Sequence, residues 1–342
     1  MGYDLRKVYV SGLKGELMQQ IYNLDPYLTN ERNGTYGGQA GEKEGITIDG
    51  TYWIVKYPKS TKGMRGDVLS YMTAPLSEYI GSHIYEILGI DVHQTILGIR
   101  NGKLVVACKD FCQKEGSLRE IRTLKNVYNN ELSKQLEESL SSTSDSHLVD
   151  LEEILLHLRY NPILSKVSGI TERFWTQMLI DILINNTDRN NGNWGVLYEN
   201  DAYRLAPVFD NGASFANKCT EKRLELMLSD ETRIQSSIQN TATTYGLKGK
   251  PLLARDLETL KYPGLLLAEK RIIPMIQLKM QEIHEFIENI PETYQEHLIC
   301  SQARKQFYMK SMSKRFETFL LPALDIAKQE ILRKRRQNHL GL

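Results

Sequence analysis

The sequence predicts an α+β chain of two lobes, a small β-rich one followed by a larger, mainly helical one. At 342 residues the chain is too long for one small core and fits two packed lobes. Its first hundred or so residues carry two hairpin signals that frame a single helical segment, and from about Gly116 onward the apolar spacing turns helical. The lobes are expected at residues 1–108 and 109–342.

Val8-Tyr9-Val10 is a short strand-like run, and Glu16 to Leu24 carries a helical pattern. Asn33 to Gly45 holds five glycines in thirteen residues and is expected to be a loop. Ile46 to Ile48, Asp49-Gly50 and Tyr52 to Lys56 read as a hairpin with a type I′ turn. A second hairpin runs from Val92 to Ile99, turns at Asn101-Gly102 and returns over Leu104 to Phe111. Between the two, Leu76, Ile80, Ile84, Ile87 and Leu88 recur at helical spacing, and Gly89 stops the helix. In the second lobe Leu148 to Leu158 and Thr171 to Ile184 are amphipathic, and Ser139 to Ser146 is a Ser/Thr-rich loop. A third hairpin has Trp194 to Leu197 and Tyr203 to Val208 as its arms. Leu252 to Arg336 is mostly helical, with breaks expected at Pro263-Gly264, Pro274 and Pro291. No internal repeat is present.

With 43 basic and 42 acidic residues the chain lacks the surplus that neutralises phosphates, so direct nucleic-acid binding is not expected. The basic run Arg333 to Arg336 offers a nuclear-import or nucleic-acid patch, but the solvated end of the last helix is the preferred reading. The longest apolar run, Met178 to Ile184, is interrupted by Asp181 and is too short for a bilayer, and the first residues show no secretory pattern. A cytoplasmic protein without membrane contact is expected. Cys108, Cys112, Cys219 and Cys300 are too scattered for a disulfide framework and read as reduced thiols, not metal ligands.

The informative stretch is Asn186 to Asn193, followed by Ala206 to Gly212. Phosphoryl transfer needs metal ions held against phosphates and one carboxylate near the attacking hydroxyl. Asp188 with Asn193 five residues later offers a carboxylate for the nucleophile and a carboxamide for Mg²⁺. Asp210, arriving after the next hairpin and followed by Gly212, offers a second metal ligand. Either piece alone is weak, because an Asn-rich turn is usually only a turn. The order strengthens it: glycine loop, hairpin ending in Lys56, helix with a carboxylate, hairpin, helices, Asp-x₄-Asn, then Asp-x-Gly. Lys56 is the candidate phosphate-binding lysine, with Glu78 or Glu86 on the following helix as its partner and Glu78 preferred. Gly37, Gly38 and Gly41 could cradle phosphate with backbone N–H groups, and Lys43 could add charge. Asp181, inside an apolar helix, is expected to brace the loop backbone. Trp194 and Phe209 read as core residues.

Tyr36 to Gly41, Trp53 to Pro58, Ser77 to Ile80, Val105 to Phe111, Asn186 to Gly195 and Ala206 to Gly212 together resemble the HipA-type serine/threonine kinases of bacteria, and most closely their compact members. The segments lie within residues 36–215, about half of the chain, in the family's order. The resemblance implies a protein-kinase-like fold related also to phosphoinositide kinases, with ATP between the lobes. It implies Asp188 as the catalytic carboxylate, Asn193 and Asp210 as Mg²⁺ ligands, Lys56 as the phosphate lysine, and the 105–108 strand, with Val106 and Cys108, as the hinge whose backbone meets adenine. It also implies a protein substrate, autophosphorylation in some members, and an antitoxin-like partner in several. The sequence departs from the family at Asn190, where a histidine is usual. It also lacks a serine near the glycine loop, where the nearest hydroxyls are Thr35, Tyr36 and Thr47. A small-molecule or phosphoinositide-type kinase, or a nucleotide-binding pseudokinase, is the alternative.

Overall fold

The computed structural model describes residues 20–33, 43–113, 116–137, 140 and 148–339. The expectations for Val8 to Val10, for Gly37, Gly38 and Gly41, and for most of Ser139 to Ser146 lie outside them. The first lobe is a five-stranded sheet with one helix. Its elements are β1 (Tyr22–Asn23), β2 (Lys43–Ile48), β3 (Thr51–Lys56), α1 (Ala74–Ile87), β4 (Thr95–Arg100) and β5 (Lys103–Lys109), with strand order β1-β4-β5-β3-β2. Both hairpin turns form where expected: Asp49 and Gly50 have φ of 47° and 73°, and Asn101 and Gly102 have 52° and 66°. These left-handed values suit Asn, Asp and Gly and match the twist of the flanking strands.

Two expectations in this lobe are corrected. The helical pattern ending at Leu24 is not helix where it is described, because Tyr22–Asn23 adds a parallel strand to β4 at Gly98 and Ile99. Ile21 and Leu24 are spaced as on a helix, but the free edge of β4 takes the backbone and the sheet buries both side chains. Gly98 permits this: a Cβ there would meet the Tyr22 carbonyl at 2.7 Å. Lys43 to Gly45 belong to β2, not to a loop, and are paired with Lys56 to Ile54 of β3. Arg100 holds Glu44 at 2.6 Å and fixes that end of the ladder.

The second lobe opens with β6 (Ser117–Glu120), α2 (Ile121–Leu136), β7 (Val149–Asp150), α3 (Leu151–Tyr160) and α4 (Ile170–Ile184). The hairpin β8 (Gly195–Glu199) and β9 (Ala202–Leu205) follows, turning at Asn200 and Asp201 with φ of 51° and 57°. Then come α5 (Glu221–Leu228), α6 (Glu231–Ile238), β10 (Ala242–Leu247), β11 (Lys250–Leu253) and α7 (Pro263–Glu288). The last described elements are the small hairpin β12 (Thr293–Tyr294) and β13 (His297–Leu298), α8 (Gln302–Arg315), a π-helical turn over Phe316–Leu320, and α9 (Leu321–His339). Pro263 does not break a helix but opens α7, where its missing N–H has no partner to lose. Pro274 lies inside that helix, which runs unbroken over its 26 residues. Its buried face, including Leu265, Ile272, Ile276, Ile283 and Ile287, packs the helix against its neighbours, and each fully buried aliphatic chain contributes about 1.5–3 kcal/mol.

Helix α4 is the axis of the second lobe. Twelve of its residues are buried, from Ile170 to Ile184, and it packs against α7 and α8. Trp175 and Phe174 fill the middle, with ring centroids 4.9 Å apart, and Trp194 joins them at 5.7 Å as a core residue. The helix stops at Asn185, which takes a left-handed φ of 55°, a role Asn tolerates after Gly. The loop that leaves this end carries Asp188.

Candidate active site

Lys56 ends β3 with its ammonium inside the molecule. It lies 3.1 Å from Glu78 Oε2 and also bonds Asp210 Oδ1. Three elements thus meet on one cation: a strand and a helix of the first lobe and the 206–212 segment of the second. Glu78 is 2% exposed at the side chain. Burial pushes its carboxyl up, but the Lys56 charge and then the contact with His93 more than reverse that, so it is held below the usual carboxylate range. Asp210 is likewise pushed up by burial and lowered on balance by the Lys56 charge. Lys56 loses hydration but is raised on balance by Asp210 and Glu78, so it stays charged. Glu86, the other helix carboxylate, is 59% exposed and lies 3.9 Å from His83, away from this cluster.

The Asp188 loop is held locally. Asp188 N–H donates to Asn186 Oδ1 at 3.1 Å. Asn190 Nδ2 donates to Asp188 Oδ1 at 2.9 Å, while Asn190 Oδ1 accepts from the Gly192 N–H at 2.8 Å. Asn193 Nδ2 donates to the Asp188 carbonyl at 2.6 Å and to Asp188 Oδ2 at 3.2 Å. Both oxygens of an exposed carboxylate are therefore fixed by side-chain amides, and Asn193 Oδ1 makes no hydrogen bond among the described residues.

Behind that loop lies a buried brace. Arg189 is 2% exposed and pairs with Asp181 at 2.9 Å. The same guanidinium donates to the carbonyl of Asn193 at 2.9 Å, to the carbonyl of Phe209 and to Asn211 Oδ1. One cation thus ties the Asp188–Asn193 loop to the segment that presents Asp210. Asp181 accepts in addition from Tyr85 at 2.9 Å and from Asn186 Nδ2 at 3.2 Å. Its side chain braces the loop through side chains, not through backbone N–H groups. Helix α1 comes close enough to reach Asn211 because residue 81 is glycine: a Cβ there would meet Asn211 Cβ at 2.8 Å. Asp210 itself has φ of 57°, an uncommon value for aspartate that the Arg189 and Lys56 contacts hold in place.

The structure brings together Lys56, Glu78 and Asp210, and it joins Asp188 to Asn193. Lys43 starts β2 opposite Lys56. Val106 and Cys108 cannot offer backbone to a base, because β5 is paired on both edges there, with β3 and with β4. The chain first leaves the sheet at Asp110, and the hinge expectation is corrected accordingly. Phe209 is buried beside Phe111, with ring centroids 5.6 Å apart. Sequence reasoning missed Arg189, His93 and Tyr85. Arg189 follows Asp188 directly, which was the only local signal available for the brace.

An all-oxygen donor set fits a hard divalent cation. Asp210 keeps Oδ2 beyond its Lys56 contact and is 30% exposed, and Asn193 keeps its carboxamide oxygen.

The HipA-like C-terminal domain model matches residues 34–262. Serine/threonine-protein kinase CtkA of Helicobacter pylori is 30% identical over 286 residues, which is 82% of this chain and 81% of that protein. The crystal structure of a Helicobacter pylori proinflammatory kinase CtkA superposes with a TM-score of 0.76 at 26% identity, covering 90% of this chain and 99% of that one. A Shewanella oneidensis HipA, solved with HipB and operator DNA, matches at a TM-score of 0.49 and 12% identity over 85% of this chain and 69% of that one.

Proposed function

The chain belongs to the HipA-like family and is a serine/threonine kinase of the CtkA type, and on that premise we propose how its residues divide the reaction. The γ-phosphoryl group of ATP passes to a protein hydroxyl. The substrate oxygen attacks phosphorus, the bond to the β–γ bridging oxygen breaks, and ADP leaves. Asp188 accepts the hydrogen bond of the attacking hydroxyl, orients it and takes its proton as the new O–P bond forms, and the two amides that fix both its oxygens set that orientation. Lys56 binds the ATP phosphates, and Glu78 keeps the ammonium charged and placed. Asn193 Oδ1 and the Asp210 carboxylate would hold Mg²⁺. Bound there, the ion supplies neutralising charge for the phosphate oxygens.

The observation that carries the proposal is the meeting of Lys56, Glu78 and Asp210 across 154 positions of sequence. Surface ion pairs are common, but a largely buried lysine held by a helix carboxylate beside a second carboxylate from the other lobe supports a phosphate clamp. The division into residues 1–108 and 109–342, the cytoplasmic location and an antitoxin-like partner belong to the same proposal and rest on the sequence and the resemblance. Among the described residues no helix is long and apolar enough to cross a membrane.

Incubation with γ-labelled ATP and Mg²⁺ tests the proposal, with a generic protein and a lipid vesicle offered in parallel to wild type and to Asp210→Asn. Label on protein from wild type, absent with Asp210→Asn, is expected. Label on lipid but never on protein moves the acceptor. Equal label from both variants removes Asp210 from the site.

A further inference from the structure

Glu78 uses one oxygen for Lys56, and its other oxygen is buried. That second oxygen, Oε1, lies at an ion-pair distance of 2.9 Å from His93 Nε2 and has no aligned hydrogen bond among the described residues. His93 sits on the segment between α1 and β4 and is 5% exposed. Its backbone N–H donates to the Val208 carbonyl at 2.9 Å, and Val92 bridges Val208 in parallel, so the residue is anchored two positions before Asp210. The ring nitrogen is also 3.1 Å from Ser82 Oγ, which accepts from Asn211 Nδ2 at 3.0 Å. Asn211 in turn receives the Arg189 guanidinium. A buried polar chain therefore runs from the Arg189 brace through Asn211 and Ser82 to His93, and from His93 through Glu78 to Lys56.

We propose that His93 is a positioning residue for phosphoryl transfer, holding the Glu78 carboxylate so that its other oxygen faces the Lys56 ammonium. The inference rests on the reading of Lys56 and Glu78 as the phosphate clamp. An ionised carboxylate only accepts hydrogen bonds, so this role requires a hydrogen on His93 Nε2. His93 also lines a cavity of about 370 Å³ together with Ser82, Glu86 and Asp91. Packing is incomplete on that side, and polar contacts set the ring. Glu78, His93 and Cys108 present ligand atoms within 4.8 Å of one another, which raises a metal site as the rival. Burial keeps the Cys108 thiol protonated despite the nearby Lys56, and Lys56 already occupies Glu78. A protonated thiol is a poor ligand, which favours positioning.

The test compares His93→Leu, His93→Gln and His93→Asn with wild type and with Lys56→Met, reading kcat and KM for ATP alongside Tm. A glutamine amide nitrogen can take the place of Nε2, whereas that of asparagine reaches only the Nδ1 position. His93→Leu and His93→Asn are expected to lower kcat/KM for ATP by about tenfold or more, and His93→Gln to stay within about threefold of wild type, the scale of one hydrogen bond to a charged group. In a Glu78→Gln background His93→Leu should add almost nothing, because it acts through that carboxylate. Wild-type kcat/KM in His93→Leu overturns the proposal, as does equal loss in the Gln, Asn and Leu variants tracking Tm. If Lys56→Met keeps full activity, the clamp itself is wrong. If Lys56→Met is inactive while His93→Leu is normal, only the role of His93 falls. Should His93→Leu not fold, the Gln and Asn pair carries the comparison.

Discussion

Lys56 and Glu78 meet with 18% and 2% of their side chains exposed, whereas Asp188 stands at the solvent edge, held by the half-buried Asn190 and Asn193. The clamp is built from contacts distant in sequence and sheltered from water, where charge–charge attraction is strong and its geometry is fixed by two lobes. The Asp188 loop is built from neighbours five residues apart or fewer, and solvent reaches its carboxylate. In the proposed division of roles the difference matches two tasks. Phosphates of ATP need a fixed positive charge, while an acceptor that arrives from solution needs an open carboxylate. Arg189 connects the two regions, since it holds carbonyls on both sides.

Removing the open carboxylate gives the largest expected effect on activity and the smallest on the fold. Asp188→Asn should lower kcat by about 10²–10⁴-fold, the range of a general base. Its exposure predicts a stability change within about 0.5 kcal/mol. Steady-state kinetics and a thermal melt check both, and the KM for ATP should hardly move. A large loss of Tm would place Asp188 with the buried region and break the contrast.

The brace should behave in the opposite way. Arg189→Met leaves Asp181 buried without its counter-charge, and breaking one side of such a pair costs about 3–5 kcal/mol. Urea denaturation should show that loss together with loss of activity. The double variant Asp181→Leu with Arg189→Met should recover part of the stability but not the activity, because the carbonyls of Asn193 and Phe209 still lack their donor.

Glu78 and Glu269 sharpen the comparison, as both are buried carboxylates and only one is paired. Glu269 lies on α7 at 1% exposure, and its Oε1 has no hydrogen-bond partner among the described residues. Burial pushes its carboxyl up to about 8, with Lys261 opposing weakly. A folded value above the unfolded one means that the native state holds the proton longer. Stability from this group is therefore full below about pH 4.5 and is lost as pH rises toward 8. Glu269→Gln should flatten that slope and raise stability at pH 8 by roughly 2 kcal/mol, within the range for burying an unpaired polar group. Melts from pH 5 to 8 read it directly, and an unchanged slope would show that Glu269 is solvated.

The same contrast decides what the sequence revealed. The hairpin turns and the Asp188–Asn193 spacing were legible because their chemistry is local: Asp49-Gly50, Asn101-Gly102 and an amide five residues from a carboxylate. The choice between Glu78 and Glu86 needed the fold, since both lie on one helix and only burial against β3 separates them. Arg189, His93 and Tyr85 were silent, because their partners lie in other elements. Tyr22–Asn23 misled for a related reason: apolar spacing of three fits a helix, but an unpaired strand edge is a tertiary fact. Pro274 inside α7 shows packing overriding a local breaker. The 105–108 strand was located correctly as a strand, but only its pairing on both edges shows that its backbone is already spent.

The finest test lies within the exposed half, at Asn190, where the family usually has histidine. Asn190 donates to one oxygen of Asp188 and accepts from the Gly192 N–H, so it fixes the carboxylate and the turn together. Asn193 fixes the other oxygen and the Asp188 carbonyl, and the carboxylate keeps that second anchor if Asn190 is lost. A half-exposed hydrogen bond contributes about 0.5–1.5 kcal/mol, so Asn190→Ala should reduce kcat by roughly two- to tenfold with KM for ATP unchanged. Asn190→His, which keeps a donor, should lie between the two. A loss as large as that of Asp188→Asn would mean that the open loop depends on a single amide, and that it is held no more redundantly than any ordinary turn.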